Sequence, residues 1–450
     1  MPPLIKANRP RKHYEGEPTG FFLRLLFHFR RKRKKNAARM GRRSLTFLNS
    51  QARNGLRVRL LMRYSRMIKS FGLALMSVRA YATASQSIAR LSEPTTCIVV
   101  PPQSVGHVPN RHEGIFPAIE ARLFTNVICA SGCSALVTEN QICVPELYTI
   151  QKAARISDGS FLFWHGQDGM GWVRQSEPEI HSSGLMMFGS GAGNWYHWLL
   201  EFLPTAFLAE GLPQEFAGDP LVIPAEIANL PSFRDSLEVF RNGREVRVLE
   251  RGMHAFDRLI VIDPPVREPI NMFPGNWPTA RDYSYNPHVL LAYRDAIIER
   301  LGITVGPHHD RIFLARGHSR RSYNQDQLLD IAQRYGFRAV YPETLTFREQ
   351  VETLANAAFV IGPSGAAFAN TLFCQKYTRL LSWLIPQYQG FCSYANIAQT
   401  TGSTLQYLFV TPDQAIKSTH DGFQSGYHID PEAFEAALRI TVGDDDQSPG

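Results

Sequence analysis

What most constrains the fold is the stretch 311–385, where short apolar runs alternate with helical patterns on short connections. The spacing predicts strand 311–315, helix 325–335, strand 337–341, helix 347–357, strand 359–362, helix 367–374 and strand 380–385. A strand followed by a helix cannot turn back as a hairpin; it crosses over and returns parallel, which covers both sheet faces. Local signals agree. Asn324 suits an N-cap with Gln327 at the third helical position, Gly336 ends that helix, and Thr346 with Glu349 spells a capping box. Phe347, Val351, Leu354 and Ala355 then share one face, as a helix packed on a sheet requires. In such a sheet ligands bind beyond the carboxyl ends of the strands, the edge occupied by loops 316–324, 342–346 and 363–366.

A chain of 450 residues exceeds what one core usually serves, so two α/β domains plus appendages are expected. The net charge of +8 is unevenly spread: residues 1–60 hold 17 Lys and Arg against 2 acidic residues, a local +15, which leaves −7 for residues 61–450. Basicity therefore belongs to an N-terminal arm. Three readings of it stay open: a solvated disordered segment, amphipathic helices on an anionic membrane surface, or a nucleic-acid arm without sequence preference. No uncharged apolar stretch approaches the roughly 20 residues that span a bilayer. The basic run 30–35 follows the short apolar segment 21–29, the reverse of a signal peptide's order. Cys97, Cys129, Cys133, Cys143, Cys374 and Cys392 show no CxxC pairs, and the histidines no HExxH pattern, so buried free thiols and no metal are expected.

Upstream, β-branched or aromatic runs at 97–100, 161–164, 221–223 and 258–262 predict a first α/β domain. The proline-rich stretch 263–287 reads as an interdomain linker or irregular loop before a helix at 289–301. The expected division is a basic, disordered or helical arm at 1–94, a first domain at 95–280, a second at 281–425, and a helix with an acidic tail at 426–450.

In the first domain Asn194, His197 and Glu201 interrupt an aromatic helical pattern at i, i+3 and i+7, so they project from one face. A histidine oriented by a carboxylate one turn away makes a general base for a hydroxyl; a buried, hydrogen-bonded helix cap is the plainer alternative. Further on, Gly362-Pro363-Ser364-Gly365-Ala366 follows an apolar strand and opens a helix, so backbone amides and the positive helix end can face a phosphate. Arg316, Arg320 and Arg321 cluster at the same edge and suit bidentate phosphate binding, against the plainer reading of an exposed loop paired with Asp326 or Asp330.

Asn194-Trp195-Tyr196-His197-Trp198-Leu199-Leu200-Glu201, then Arg316, Arg321 and Asn324, then Phe347-Arg348-Glu349-Gln350, and last Gly362-Pro363-Ser364-Gly365-Ala366-Ala367-Phe368-Ala369-Asn370 stand in an order and spacing that resemble glycosyltransferase family 61. That group includes bacterial capsular-polysaccharide enzymes. The resemblance, over about residues 189–373, implies a GT-B-type fold of two facing Rossmann-like domains, with the donor in the C-terminal domain and the acceptor and base in the N-terminal one. It implies inversion at the anomeric carbon; that no metal or other cofactor takes part is a separate expectation, from the scattered histidines and cysteines. Catalytic roles then fall to His197, Glu201 and Asn194, and donor contacts to Arg316, Arg320, Arg321, Asn324, Glu349, Gln350, Ser364, Gly365, Ala366 and Asn370. For Asn324 and Glu349 helix capping competes with ligand contact. A UDP-linked donor, a glycan or lipid-linked glycan acceptor, and a cytoplasmic enzyme peripheral on the inner face of the plasma membrane through residues 1–80 are the matching expectations, with no specific nucleic acid.

One departure matters. Where the family commonly reads His-Gly-Ala-Gly, this chain reads Ser364-Gly365-Ala366-Ala367, and serine can donate a hydrogen bond but carries no charge. Either the histidine is dispensable here, donor preference differs, or activity is lost. The last option defines the rival reading, an inactive membrane-associated polysaccharide assembly protein that keeps the fold.

Overall fold

The computed structural model describes residues 73–108, 110–139, 141–145, 161–164, 170–269, 277–317, 323–416, 419–422 and 425–443. The expectations for the arm up to residue 72, for Arg320 and Arg321, and for the acidic tail 444–446 lie outside these residues. The chain divides between residues 74 and 75, and from Leu75 on both large sheets belong to the second unit.

The first sheet is built on β1 (Ile119–Ala130), β2 (Glu179–Met186), β3 (Leu221–Pro224), β4 (Val246–Leu249) and β5 (Met253–Ile262), in the order β4-β3-β2-β5-β1. β2 is parallel to β3 and β5, and β3 to β4, whereas β1 runs antiparallel to β5. Leu136–Thr138, Gln141–Val144, Leu73–Ala80, Met170–Arg174 and Leu162–Trp164 continue the sheet beyond β1, and Gln86–Ser92 also pairs with β1. The chain is α/β as expected, but this half is a mixed sheet, because hairpins rather than helical crossovers join the strands of residues 119–144. Strand Gln86–Ser92 corrects the arm boundary expected at residue 94: with Gln86, Ser87, Arg90 and Ser92 beside only three apolar residues, its pairing rests on backbone hydrogen bonds that carry no sequence signature.

β2 leads into a helix, α1, that spans 195–208 in three pieces: α over Trp195–His197, π over Trp198–Phe202, and α again over Leu203–Leu208. Helices α2 (Pro231–Glu238) and α3 (Pro287–Arg300) follow, the latter capped by Asn286, whose side chain accepts from Val289 N.

The second sheet matches the alternation that predicts it. β6 (Asp310–Leu314), β7 (Arg338–Val340), β8 (Ala357–Pro363), β9 (Arg379–Leu384) and β10 (Thr404–Phe409) are all parallel, in the order β7-β6-β8-β9-β10. Helices α4 (Gln325–Arg334), α5 (Phe347–Ala355), α6 (Ser393–Thr401) and α7 (Pro431–Val442) intervene or follow. The helix expected at 367–374 is a 3-10 helix, Ala366–Phe373. Counted within this sheet the strand order is 2-1-3-4-5, a doubly wound order whose switch point lies between β6 and β8. Those strands approach closely there: a Cβ at Gly362 would sit 2.8 Å from the Leu314 carbonyl oxygen.

One continuous core runs from Leu185 and Ile260 of the first sheet through Trp198 and Leu203 of α1 to Phe347 of α5 and Val360 of the second sheet. Trp198 is fully buried and its Nε1 donates to Ser236 Oγ at 2.9 Å, so truncation to alanine would cost about 3–5 kcal/mol. Phe124, Val222, Phe256 and Leu259 form a separate cluster on the other face of the first sheet, as the period-2 alternation with Ile260 and Ile223 dictates.

Candidate active site

α1 starts directly beyond the carboxyl end of β2 because Asn194 caps it, its Oδ1 accepting from Tyr196 N at 2.9 Å. One turn in, His197 Nδ1 lies 2.7 Å from Glu201 Oε1. Glu201 falls inside the π turn, in which Leu203 N donates to the Trp198 carbonyl five residues back; such insertions are rare and recur at functional sites. The two side chains are 21% and 10% exposed, so water screens the pair little. A carboxylate only accepts, so the ring donates from Nδ1 and, when neutral, keeps its lone pair on Nε2. Burial pulls the imidazole pKa down, but the charge and hydrogen bond of Glu201 and the charge of Glu268 outweigh it and leave a net rise. An oriented, more basic imidazole suits proton abstraction from a hydroxyl. Gly191, at φ +92°, passes beneath the ring, where a Cβ would meet His197 Cδ2 at 2.9 Å.

Glu268 completes this cluster. It is 7% exposed, and the hydroxyls of Tyr196 and Tyr285 both donate to its Oε1 while touching each other. Burial first, then repulsion from Glu201, pushes its carboxyl up to about 7 against the pull of the two tyrosines and His197. Glu268 and His197 therefore influence each other's protonation, the imidazolium lowering the Glu268 carboxyl and the Glu268 charge raising the imidazole. Glu201 and Glu268 line a cavity of about 100 Å3 together with Tyr81, Ser134, Phe188 and Arg267.

The second constellation sits at the switch point of the parallel sheet. Gln325 holds the backbone of Arg316 from both sides, accepting from Arg316 N at 2.7 Å and donating to Arg316 O at 2.9 Å. So fixed, the guanidinium reaches across from the end of β6 to the end of β8, where Nη2 donates to the Ser364 carbonyl at 2.6 Å. Its other terminal nitrogen, Nη1, is buried and has no hydrogen-bond partner among the described residues. A buried cationic donor left unpaired is costly, which makes it a candidate anion ligand. Ser364 is 7% exposed and shares a hydrogen bond with Ser382, Oγ to Oγ 2.9 Å. Ser364 and Gly365 border a cavity of about 40 Å3 walled by Trp383, Tyr388, Tyr394 and Tyr427, water-sized rather than nucleoside-sized. Tyr394 joins the two constellations: its ring stands edge-on to Tyr196, centroids 5.6 Å apart.

The remaining candidates divide by place. Asn370 and Gln350 are buried, and their amides are engaged in a chain in which Trp195 Nε1 donates to Asn370 Oδ1 at 2.8 Å, Asn370 Nδ2 to Gln350 Oε1 at 2.9 Å and Gln350 Nε2 to Ser232 Oγ at 3.1 Å. That chain ties α1 and α2 to α5 and the 3-10 helix. Glu349 is exposed and closes the capping box on Thr346, at 2.8 Å from its N and from its Oγ1. Asn324 does not cap α4 with its side chain; its amide clasps the backbone of Ile429, accepting from N at 3.0 Å and donating to O at 2.9 Å. Ala366 opens the 3-10 helix beside Gly365. Sequence reasoning missed Glu268, Tyr285 and Ser382. Glu268 stands next to Pro269 in the stretch read as a linker, and no local pattern marks it.

A search of the curated proteins finds no match. The family model described as Glycosyltransferase 61 matches residues 195–381, which begins at α1 and ends within β9, and so contains His197, Glu201, Glu268, Arg316 and Ser364, while Asn194 and Ser382 fall just outside it. Over residues 195–381 the chain is thus similar to glycosyltransferase family 61.

Proposed function

We propose that the protein is an inverting, metal-independent glycosyltransferase that moves a sugar from a nucleotide sugar, UDP-linked in the first instance, to a glycan acceptor in the synthesis of a capsular or other surface polysaccharide. The observation that carries this reading is the Nη1 of Arg316 at the switch point, buried and without a partner among the described residues, a fixed donor available to a leaving diphosphate. In this mechanism the acceptor hydroxyl gives its proton to His197 Nε2 while Glu201 holds Nδ1 and stabilises the imidazolium. The acceptor oxygen bonds to the anomeric carbon as the bond from that carbon to the phosphate oxygen breaks. The electron pair departs on the nucleoside diphosphate, against Arg316 and the amides that open the 3-10 helix after Gly365.

The test is a thermal-shift screen of the purified chain against nucleoside diphosphates and nucleotide sugars in EDTA. Stabilisation by one nucleotide family supports a metal-free donor site, since a ligand at 100 times its Kd adds about 2.7 kcal/mol. Absence of a shift with every nucleotide, joined to absence of nucleotide-sugar hydrolysis, sinks the reading in favour of the inactive assembly protein.

A further inference from the structure

At the amino ends of β2 and β5, the opposite edge from His197, three metal-ligating side chains converge. Glu179 and His254 are register partners in the parallel ladder, and His181 follows two residues on, which returns it to the same face. His181 Nε2 lies 3.1 Å from His254 Nδ1. The Glu179 carboxylate oxygens lie 3.5 Å from His254 Nδ1 and 4.0 Å from His181 Nε2, and donor atoms of all three residues fall within 4.8 Å of one another. His254 is 2% exposed, His181 stacks on Phe256 with centroids 4.7 Å apart, and Glu179 reaches in from solvent.

The tautomers are set by chemistry already in place. His254 Nε2 faces the Glu250 carbonyl at 2.9 Å, and a carbonyl only accepts, so Nε2 carries the proton and Nδ1 of the neutral ring presents its lone pair. A carbonyl holding the outer nitrogen while the inner one points at a carboxylate and a second imidazole is the arrangement that orients histidine ligands on zinc. Two imidazole nitrogens on a tetrahedral ion, each about 2.0–2.1 Å from it, stand about 3.3 Å apart, close to the spacing here. Arg247, the cation whose field reaches His181, is itself held by the Ser183 carbonyl and the Glu245 carboxylate.

We propose that Glu179, His181 and His254 bind a zinc-type divalent ion with solvent in the fourth position, pinning β2 to β5. On binding, the His181 proton that Nε2 shares with His254 moves to Nδ1, and both facing lone pairs go to the ion. The site lies about 23 Å, a strand's length at about 3.3 Å per residue, from the carboxyl end that leads to His197, so it takes no part in sugar transfer.

The experiment uses untagged full-length protein, stripped with EDTA and desalted, then titrated with Co2+ and separately with Zn2+. One equivalent of Co2+ is expected to develop the visible absorption of a four-coordinate ion, and Zn2+ to raise the unfolding midpoint. His181→Phe, which keeps the ring on Phe256, should abolish both responses, and Glu179→Gln, at an exposed position, should weaken affinity several-fold. Absence of stoichiometric binding by the stripped protein, or equal binding by His181→Phe, overturns the proposal. Should His181→Phe fail to fold, unchanged affinity in Glu179→Gln overturns it instead.

Discussion

The two sheets of the second unit differ in how their strands find one another. In the parallel sheet consecutive strands are joined by single crossovers, with the one skip from β6 past β7 to β8 at the switch point, so hydrophobic period, caps and turn residues mostly report on the same local unit. In the mixed sheet β2 pairs with β3 and β5, some 35 and 75 residues away, and β5 reaches back to β1 across more than 120. Such pairs are selected by burial and backbone hydrogen bonding, which leave a weak trace in any short window. The two candidate constellations inherit the contrast. Arg316 and Ser364 come from adjacent strand ends of the regular sheet, whereas His197 draws Glu201 from its own helix and Glu268 and Tyr285 from far along the chain.

The sharpest way to break this comparison is to remove the charge at the switch point. Arg316→Ala is expected to lower kcat about 100- to 1,000-fold, the loss typical of one fixed electrostatic donor, with little change in the unfolding midpoint, because the lost hydrogen bond to Ser364 is offset by removing a buried Nη1 that has no partner among the described residues. A lower midpoint with unchanged turnover per folded molecule would make Arg316 a structural residue.

Next comes the helical pair. His197→Gln should lower kcat about 100-fold or more, and Glu201→Gln less. A base acts when neutral, so kcat/KM should rise with pH through a limb above the ordinary histidine value, because the net shift of His197 is upward. Glu201→Gln removes the group that raises it and should move that limb to lower pH. A limb that stays in place would separate His197 from Glu201 in function.

Asn370→Ala tests whether the buried amide chain serves the fold or the donor. It leaves Trp195 Nε1 and Gln350 Oε1 without their partner, at a cost of about 1–3 kcal/mol in urea unfolding, while KM for the donor should hold. A raised KM with unchanged stability would put Asn370 on the substrate.

The smallest effect concerns Glu268. Its folded pKa, about 7, lies above the ordinary carboxyl value, so the folded state holds its proton more tightly than the unfolded state. Stability should therefore fall as pH rises from about 4.5 to about 7, by at most about 3 kcal/mol, and the raised His197 shifts the balance in the same direction. Glu268→Gln should flatten the thermal midpoint across that range; an unchanged slope would show that the carboxyl titrates normally.

The elements of the second sheet were legible because each carries its own evidence: Thr346 and Glu349 cap α5 as spelled, Gly336 ends α4 at φ +76°, and the apolar run of β8 is buried as a central strand must be. His197 with Glu201 was legible for the same reason, since four residues of helix bring them together. Asn324 shows the limit of that reasoning. Its position is a cap position, yet tertiary contact with Ile429 claims the side chain, and only the folded chain reveals the competitor.

What the sequence determined by itself was therefore short-ranged: the α/β class, the parallel crossovers, the edge at which Arg316 and Ser364 lie, and the resemblance of motifs strung along it. The tertiary structure decided the long-ranged matters: that residues 86–92 join a sheet, that Glu268 lies against Tyr196, and that His181 meets His254 from 73 residues away. The physical reason is that local patterns are enforced by neighbours along the chain, whereas a buried carboxylate or a pair of facing imidazoles acquires its chemistry from whichever distant residues the shared core brings beside it.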